Sequence, residues 1–431
     1  MIFRKCLSLK RRIRGSEFEN SATFDFLANL IEKKSRDLIL IDDSVKVEIY
    51  LIKEGVAPDS GGIGVWFNSL LRNSTLQGNE CLVYSCGSVS YFGSYLEQLG
   101  SHQFKVNIKQ AIGVRVLRNH FLRKVFARYG FDAEEILNFL LVYFFVQFIR
   151  KLKKQNIGLG KVVTPVYEGY GAYLPASWPI WVGLVSNTKH SIQNLSIATS
   201  RYRRHYLPKI RKEEFLLKKF KNRIAISESI IGEYNGIRDD EAFQVSPPQI
   251  IDPKLAVAKR ENSEWISLSQ RRKVILFLGR MEPRKGFDIL LDAWEISQLS
   301  KKGYELHMCG EYGENLPAKF QNIDGVQFTG RITQHEKDKY LTSSSLVVIP
   351  SRFESFGIVT LEAMANHTPV LVSDVAGLRY ISSIANSVQV FSEGDAFDCA
   401  SKMSKILESE FEWNKLARSV RKDFEALFLL N

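Results

Sequence analysis

Two α/β domains in tandem are predicted by three features of this 431-residue chain. Short apolar runs alternate with helical segments through the first half, the pattern of a parallel sheet flanked by helices. Near 245–254 the composition shifts to Pro247, Pro248 and Pro253 and stays polar to Gln270, which reads as an interdomain connection. The alternation then restarts. The length suits two domains of ordinary size. A hydrophobic content of 45% with 25% charged residues suits a soluble globular protein.

The elements follow in order. Residues 1–44 read as a basic extension with a helix near 23–34. The first strand is expected at 45–52, then Pro58-Asp59-Ser60-Gly61-Gly62-Ile63-Gly64 and a helix from Trp66 to Leu71. A strand, a glycine-rich turn and a helix make a loop that can approach a phosphate; plain turn glycines fit the same residues. Phe67 stands where a dinucleotide fingerprint needs its third glycine, which disfavours a nicotinamide dehydrogenase. Further strands are expected at 82–85, 161–167, 181–186 and 223–226. The apolar run 136–149 contains Asn138 and Gln147 and is too short to cross a membrane, so it reads as a core helix. In the second domain, strands are expected at 273–278, 305–308, 326–328, 344–350 and 370–372. Helices are expected at 287–298, 337–341 and 358–365. The tail 397–430 reads as helical, anchored by Trp413 and Phe424. The domains are therefore drawn as 1–44, 45–258, 259–408 and a terminal helix 409–431.

Charge and cysteines narrow the setting. The net charge is +12, and its excess lies in two segments. Residues 1–14 carry six basic and no acidic side chains, and residues 201–223 carry ten basic against Glu213 and Glu214. Two such patches suit an anionic partner, whether membrane headgroups, nucleic acid or a phosphorylated substrate, or are solvated helical faces. Cys6, Cys81, Cys86, Cys309 and Cys399 form no paired motif, the pattern of reduced thiols in a cytoplasmic protein. No secretory leader is read at the N-terminus.

Chemistry concentrates in the loops after the second-domain strands, where open α/β sheets bind ligands. Gly279-Arg280-Met281-Glu282-Pro283-Arg284-Lys285-Gly286 follows the first of them. Arg280 offers a planar fork and Lys285 a point charge at a helix start, a pair able to neutralise a diphosphate. The turn at 309–313 offers close backbone approach for a base. Phe353-Glu354-Ser355-Phe356-Gly357 precedes the helix that carries Glu362. Eight residues between Glu354 and Glu362 imply about 12 Å. Glycoside hydrolases need about 5–9.5 Å, so the two glutamates suit two ends of one elongated ligand better than one bond.

These loops resemble the retaining, two-Rossmann-domain glycosyltransferases of family 4, the "group 1" glycosyltransferases with the GT-B fold. The resemblance rests on Gly61-Gly62, on Gly279-Arg280 through Lys285-Gly286-Phe287 with Leu290 and Ala293, and on Glu354-x7-Glu362 before Pro369-Val370. It is dense over about 270–395 and loose in the first domain. It implies two Rossmann-like domains facing across a cleft, with the C-terminal helix crossing back to the first. It implies a nucleotide-diphosphate-sugar donor and no metal or other cofactor. Glu354, Arg280 and Lys285 would be catalytic. Arg280 and Lys285 would hold the diphosphate, Phe356, Gly357, Ile358 and Val359 would line its distal phosphate, Glu362 would bind the ribose and Glu354 the donor sugar. Gly61 and Gly62 would approach from the other domain.

The acceptor is expected to be a glycan or lipid-linked precursor, on the inner face of a membrane reached through residues 1–14 and 201–223, with no role for nucleic acid. The sequence departs from the family at His367, where glycine is usual. It departs again at Ser186-Asn187, where His190 is the nearest histidine for the acceptor side, and at Tyr167-Glu168-Gly169-Tyr170-Gly171, where relatives often carry histidine. These departures leave open a non-catalytic subunit of the same fold, or an epimerase on the same architecture.

Overall fold

The computed structural model describes residues 46–52, 61–84, 89–92, 133–153, 158–192, 202, 206–234, 243–248, 266–311 and 323–429. The expected helix at 23–34, the basic segment 1–14 and Pro58-Asp59-Ser60 lie outside them. The chain divides into two compact units: Met1–Lys189 with Ile197–Ile224 and Ile237–Gln244, and His190–Ser196 with Ala225–Gly236 and Val245–Asn431. The main division thus falls at 244/245, ahead of the boundary expected near 258.

The first unit is built on strands β1 (Lys46–Leu51), β2 (Glu80–Tyr84), β3 (Val89–Phe92), β4 (Gly158–Pro165), β5 (Ile180–Leu184), β6 (Asn222–Ala225) and β7 (Phe243–Val245), in the order β3-β2-β1-β4-β5-β6-β7. β1 pairs in parallel with β2 and β4, and β4 with β5; β3 is antiparallel to β2. Val47, Ile49, Tyr50 and Leu51 are all buried, as a central strand covered on both faces requires. Helix α1 (Gly61–Leu76) lays Trp66, Phe67, Leu70 and Leu71 on the sheet. Gly183 of β5 admits it: a Cβ there would stand 2.9 Å from the Trp66 ring. The apolar run at 136–149 lies inside helix α2 (Ala133–Lys153), whose Val142, Phe145 and Ile149 are buried. Among the described residues no helix is long and apolar enough to cross a membrane.

Part of the basic segment 201–223 is engaged within this unit. It folds as helix α4 (Leu207–Lys219), after the short α3 (Thr188–Ser191). Lys212 is buried, Lys209 pairs with Glu168, and Lys219 donates to the carbonyls of Ala172 and Leu174. Arg223 is fully buried and caps the helix by donating to the Phe220 and Leu217 carbonyls. Arg211, Lys218 and Lys221 stay exposed, as does Phe215.

The second unit holds six parallel strands in the order β10-β9-β8-β11-β12-β13. They are β8 (Arg272–Leu278), β9 (Glu305–Cys309), β10 (Val326–Gly330), β11 (Ser344–Ile349), β12 (Val370–Ser373) and β13 (Gln389–Phe391). The short α5 (Glu228–Ile231) groups with this unit. Its main helices are α6 (Phe287–Ser297), α7 (Gln334–Ser343), α8 (Ile358–Ala365), α9 (Ala376–Ile384), α10 (Ala396–Ile406) and α11 (Glu410–Leu427). β11 is buried along its whole length. Leu290, Leu291, Trp294, Leu306 and Leu346 form the centre of the core.

The tail is two helices. Ser409 starts the second by accepting from the Glu412 N–H, while Asp395 caps the first. The second helix packs on the core of the second unit. Trp413 and Ala417 belong to that core, and the Trp413 indole donates to the Ser345 carbonyl at 2.7 Å.

His367 explains itself through its neighbours. Its φ of 55° is the left-handed conformation that glycine adopts freely. The buried Arg271 donates to the carbonyls of Asn366 and His367 at 2.9 and 3.2 Å and lies over the Trp413 ring, holding the turn without a glycine.

Candidate functional site

In the second sheet the chain leaves β8 toward β9 on one side and β11 toward β12 on the other. The carboxyl ends of β8 and β11 therefore flank the point where strand order reverses, the place where doubly wound sheets bind ligands. β8 delivers the loop of Arg280 and Lys285. β11 delivers the loop of Glu354.

The two loops are clasped together. The Arg352 N–H donates to the Arg284 carbonyl at 2.8 Å. The Arg352 guanidinium forks onto both carboxylate oxygens of Asp288, each at 2.8 Å, and reaches the Pro283 carbonyl at 2.7 Å. Burial works to raise the Asp288 carboxyl, but the hydrogen bonds and charge of Arg352 outweigh it and hold the group below its ordinary value. Gly286, at φ 63°, ends the short turn Pro283–Lys285, and a Cβ there would lie 1.8 Å from the Pro350 carbonyl oxygen.

Within this frame Glu354 is 9% exposed. Its carboxylate pairs with the Lys285 ammonium, and the Ser351 hydroxyl stands 3.5 Å away. Burial pushes Glu354 up, yet Lys285 and Arg284 prevail and hold it below the usual carboxylate range. The Glu354 carbonyl accepts from the Gly377 N–H at 3.1 Å, where any Cβ would stand 2.3 Å from that oxygen. Gly357 opens α8 at φ 90°, and a Cβ there would meet Leu378 at 2.3 Å. A helix leaves the N–H groups of its first turn without intrahelical partners, here those at Ile358 and Val359.

The remaining candidates fall as follows. Arg280 is exposed at the mouth and pairs with Glu282 at 2.6 Å. Glu362, in the second turn of α8, pairs with Lys337 of α7 at 2.8 Å. The Phe356 ring is fully buried against Phe428 and Tyr380, so this residue can face a ligand only through its backbone. Gly61 and Gly62 open α1 in the first unit. His190 is the third residue of α3, and its side chain lies outside the described residues. Gly310 lets the β9 turn touch the β8 loop: a Cβ there would stand 2.0 Å from the Gly279 carbonyl oxygen. Sequence reasoning missed Arg352, Arg284 and Lys337. Arg352 carried a local signal, since it lies two residues before Glu354 in a loop whose acid needs support.

The second unit is thus a Rossmann-like domain with a switch-point crevice that sets a lysine and an arginine beside a buried carboxylate and a helix N-terminus. Residues 259–423 match the family described as "Glycosyl transferases group 1". The architecture is that of the two-domain glycosyltransferase fold. Sucrose-phosphate synthase from Thermosynechococcus elongatus is similar with a TM-score of 0.61 at 18% identity, over 89% of this chain and 95% of that one. Anabaena HepE, solved in complex with UDP and glucose, is similar with a TM-score of 0.53 at 14% identity, over 89% and 95%. An uncharacterised glycosyltransferase of Methanocaldococcus jannaschii is 38% identical over 121 residues, 27% of this chain and 31% of that protein. The chain spans less than half the length of the curated relatives it matches, for example 41% and 48% of two of them.

Proposed function

We propose that the protein is a glycosyltransferase that moves a sugar from a nucleotide-diphosphate donor with retention of configuration and without a metal. The observation that carries this reading is the juxtaposition of Lys285 with Glu354 at the switch point of the domain that matches the group 1 glycosyltransferases. Lys285 and Arg280 neutralise the diphosphate, and the N–H groups of Gly357, Ile358 and Val359 face its distal phosphate. Glu362 accepts from ribose hydroxyls. Glu354, kept ionised by Lys285, accepts from donor-sugar hydroxyls. Rate enhancement is electrostatic: the cations stabilise the departing diphosphate while an oxocarbenium-like sugar forms. The acceptor hydroxyl attacks from the leaving-group face. UDP bound to HepE, a protein of the same fold, supports a nucleotide donor.

A thermal-shift experiment tests the donor site. UDP or GDP at 100-fold excess over its dissociation constant is expected to stabilise the protein by about 2.7 kcal/mol, with EDTA present. The shift is expected to disappear in Arg280→Ala. A strict Mg²⁺ requirement contradicts the metal-free site, and no shift with any nucleoside diphosphate contradicts the donor reading.

We further propose a lipid-linked or polysaccharide-precursor acceptor, met at the inner face of a membrane. Support comes from the exposed Arg211, Lys218, Lys221 and Phe215. Co-sedimentation with phosphatidylglycerol vesicles at low salt is expected, weakened in the triple alanine variant of those cations. A protein that stays in the supernatant refutes the membrane location.

A further inference from the structure

Helices that follow strands of a parallel sheet start at its carboxyl edge, the side on which such sheets bind ligands. Lys337 lies in the first turn of α7, which follows β10, and Glu362 lies in the second turn of α8, which follows β11. The ion pair they make therefore stands near the carboxyl edge of the second sheet. Glu362 is four residues past Ile358, about 6 Å along the helix axis. That matches the reach of a nucleotide from its phosphates to its ribose hydroxyls. The Lys337 ammonium is 2.8 Å from one Glu362 oxygen, and the two side chains keep 23% and 17% of their surface exposed. A pair this open to solvent adds little to folding.

Neighbours hold both partners in place. Thr333 and Glu336 cap α7 reciprocally, with the Glu336 carboxylate accepting from the Thr333 N–H at 2.7 Å. Leu341 is buried beneath the helix, and the Tyr340 hydroxyl stands 3.2 Å from Nδ1 of the buried His307. The Thr342 hydroxyl donates to the Asn366 side-chain oxygen at 3.1 Å, and the Asn366 amide donates to the Glu362 carbonyl at 2.9 Å. Helices α7 and α8 are thus pinned a second time beside the ion pair. Among the described residues, the bond between Lys337 and Glu362 is the one side-chain hydrogen bond of either charged group. An ammonium carries three N–H donors and a carboxylate about four acceptor positions. About two donors and three acceptor positions therefore face outward with solvent access.

A hydroxyl suits such a pair, because it donates to the carboxylate and accepts from the ammonium together. A C–H in its place does neither, and it takes water away from both charges. Glu362 repels a phosphate, and Lys337 repels an amine. We propose that Lys337 is a specificity-determining residue that donates to one ribose hydroxyl of the donor while Glu362 accepts from it, so that the donor is a ribonucleoside diphosphate sugar and deoxyribonucleotide donors are rejected. This rests on the proposed donor site and narrows its substrate to one class.

Calorimetric titration of the full chain tests it, with Mg²⁺ present so that any need for the metal does not interfere. UDP, GDP, ADP and dTDP are titrated first. The tightest ribonucleotide is then compared with its 2′-deoxy and 3′-deoxy forms. The wild type is expected to bind dTDP more weakly than UDP. It is expected to bind the ribonucleotide about 10- to 100-fold more tightly than at least one deoxy form, the loss of a hydrogen bond to a charged group. Lys337→Met keeps the apolar stem and removes the donor. It is expected to lower affinity for the ribonucleotide about 10-fold and to leave affinity for that deoxy form unchanged. Its melting temperature is expected to fall by no more than about 4 °C. Lys337→Ala is the second variant should the first misfold, and Lys337→Arg, which keeps a donor, is expected to keep the preference. Equal affinity of the wild type for the ribonucleotide and both deoxy forms overturns the proposal and leaves the donor site standing. A preference that survives in full in Lys337→Met and Lys337→Ala overturns the role of Lys337, as does a parallel loss for ribonucleotide and deoxynucleotide. A wild type that binds none of the four nucleotides refutes the donor reading, and the proposal falls with it.

Discussion

Lys285→Ala is expected to lower turnover by about 10³-fold, the scale of removing a transition-state charge partner, and to destabilise the second unit by about 3–5 kcal/mol. The two losses have separate causes. On the proposed donor chemistry, turnover falls because the diphosphate loses a cation at the moment its charge grows. Stability falls because Glu354, only 9% exposed, keeps its charge and loses the ammonium that compensates it. A double variant separates them: Lys285→Ala with Glu354→Gln is expected to recover most of the stability and none of the activity.

The pH dependence carries the same signature. Glu354 is depressed in the folded protein, so its pairing stabilises above the ordinary carboxylate pKa of about 4.3 and is lost as pH falls through the lower folded value. In Lys285→Ala the buried carboxyl takes up a proton more readily. The stability gap between wild type and variant is therefore expected to close on acidification below about pH 4. Urea unfolding of both proteins from pH 3 to 7 measures it. A gap that stays constant across that range rules out the ion pair as its source.

Gly286→Ala is expected to be the most damaging single methyl group in the second unit. Alanine at φ 63° carries the usual left-handed cost of about 1–2 kcal/mol. In addition its Cβ would stand 1.8 Å from the Pro350 carbonyl oxygen, which cannot yield without moving the end of β11. That movement opens the Arg352–Asp288 clasp and shifts Glu354 from Lys285. A total loss above about 4 kcal/mol is expected, with most of the protein insoluble on expression. Gly330→Ala is the control. Gly330 has φ 68° but nothing within 4 Å of the added Cβ, so only the backbone cost applies. Equal stability losses in the two variants contradict the close approach as the cause.

The parts of this chain that were legible beforehand are those whose evidence is local. The strand at Ser344–Ile349 announces itself by an unbroken apolar run, and helix Ile358–Ala365 by composition and the glycine before it. Basic and acidic loops at strand ends carry their own chemistry in a few residues. Strands Val89–Phe92, Phe243–Val245 and Gln389–Phe391 escaped because three or four residues at a sheet edge hold too little alternation to separate them from connections. The ten basic residues of 201–223 looked like one cationic face. Folding directs Lys209, Lys212, Lys219 and Arg223 inward, because carbonyls at helix ends and the Glu168 carboxylate need partners that only the packed helix supplies.

The sequence by itself determined the two α/β halves and the Gly279–Gly286 and Phe353–Gly357 loops as the seats of charge. These follow from periodicity and from residue types within reach of one another along the chain. Only the tertiary structure decided that β8 and β11 are neighbours, and hence that Lys285 meets Glu354 across 69 positions and Lys337 meets Glu362 across 25. Strand order is set by which apolar faces pack together over the whole sheet. That is a cooperative choice among distant segments, and no local window of the chain contains it.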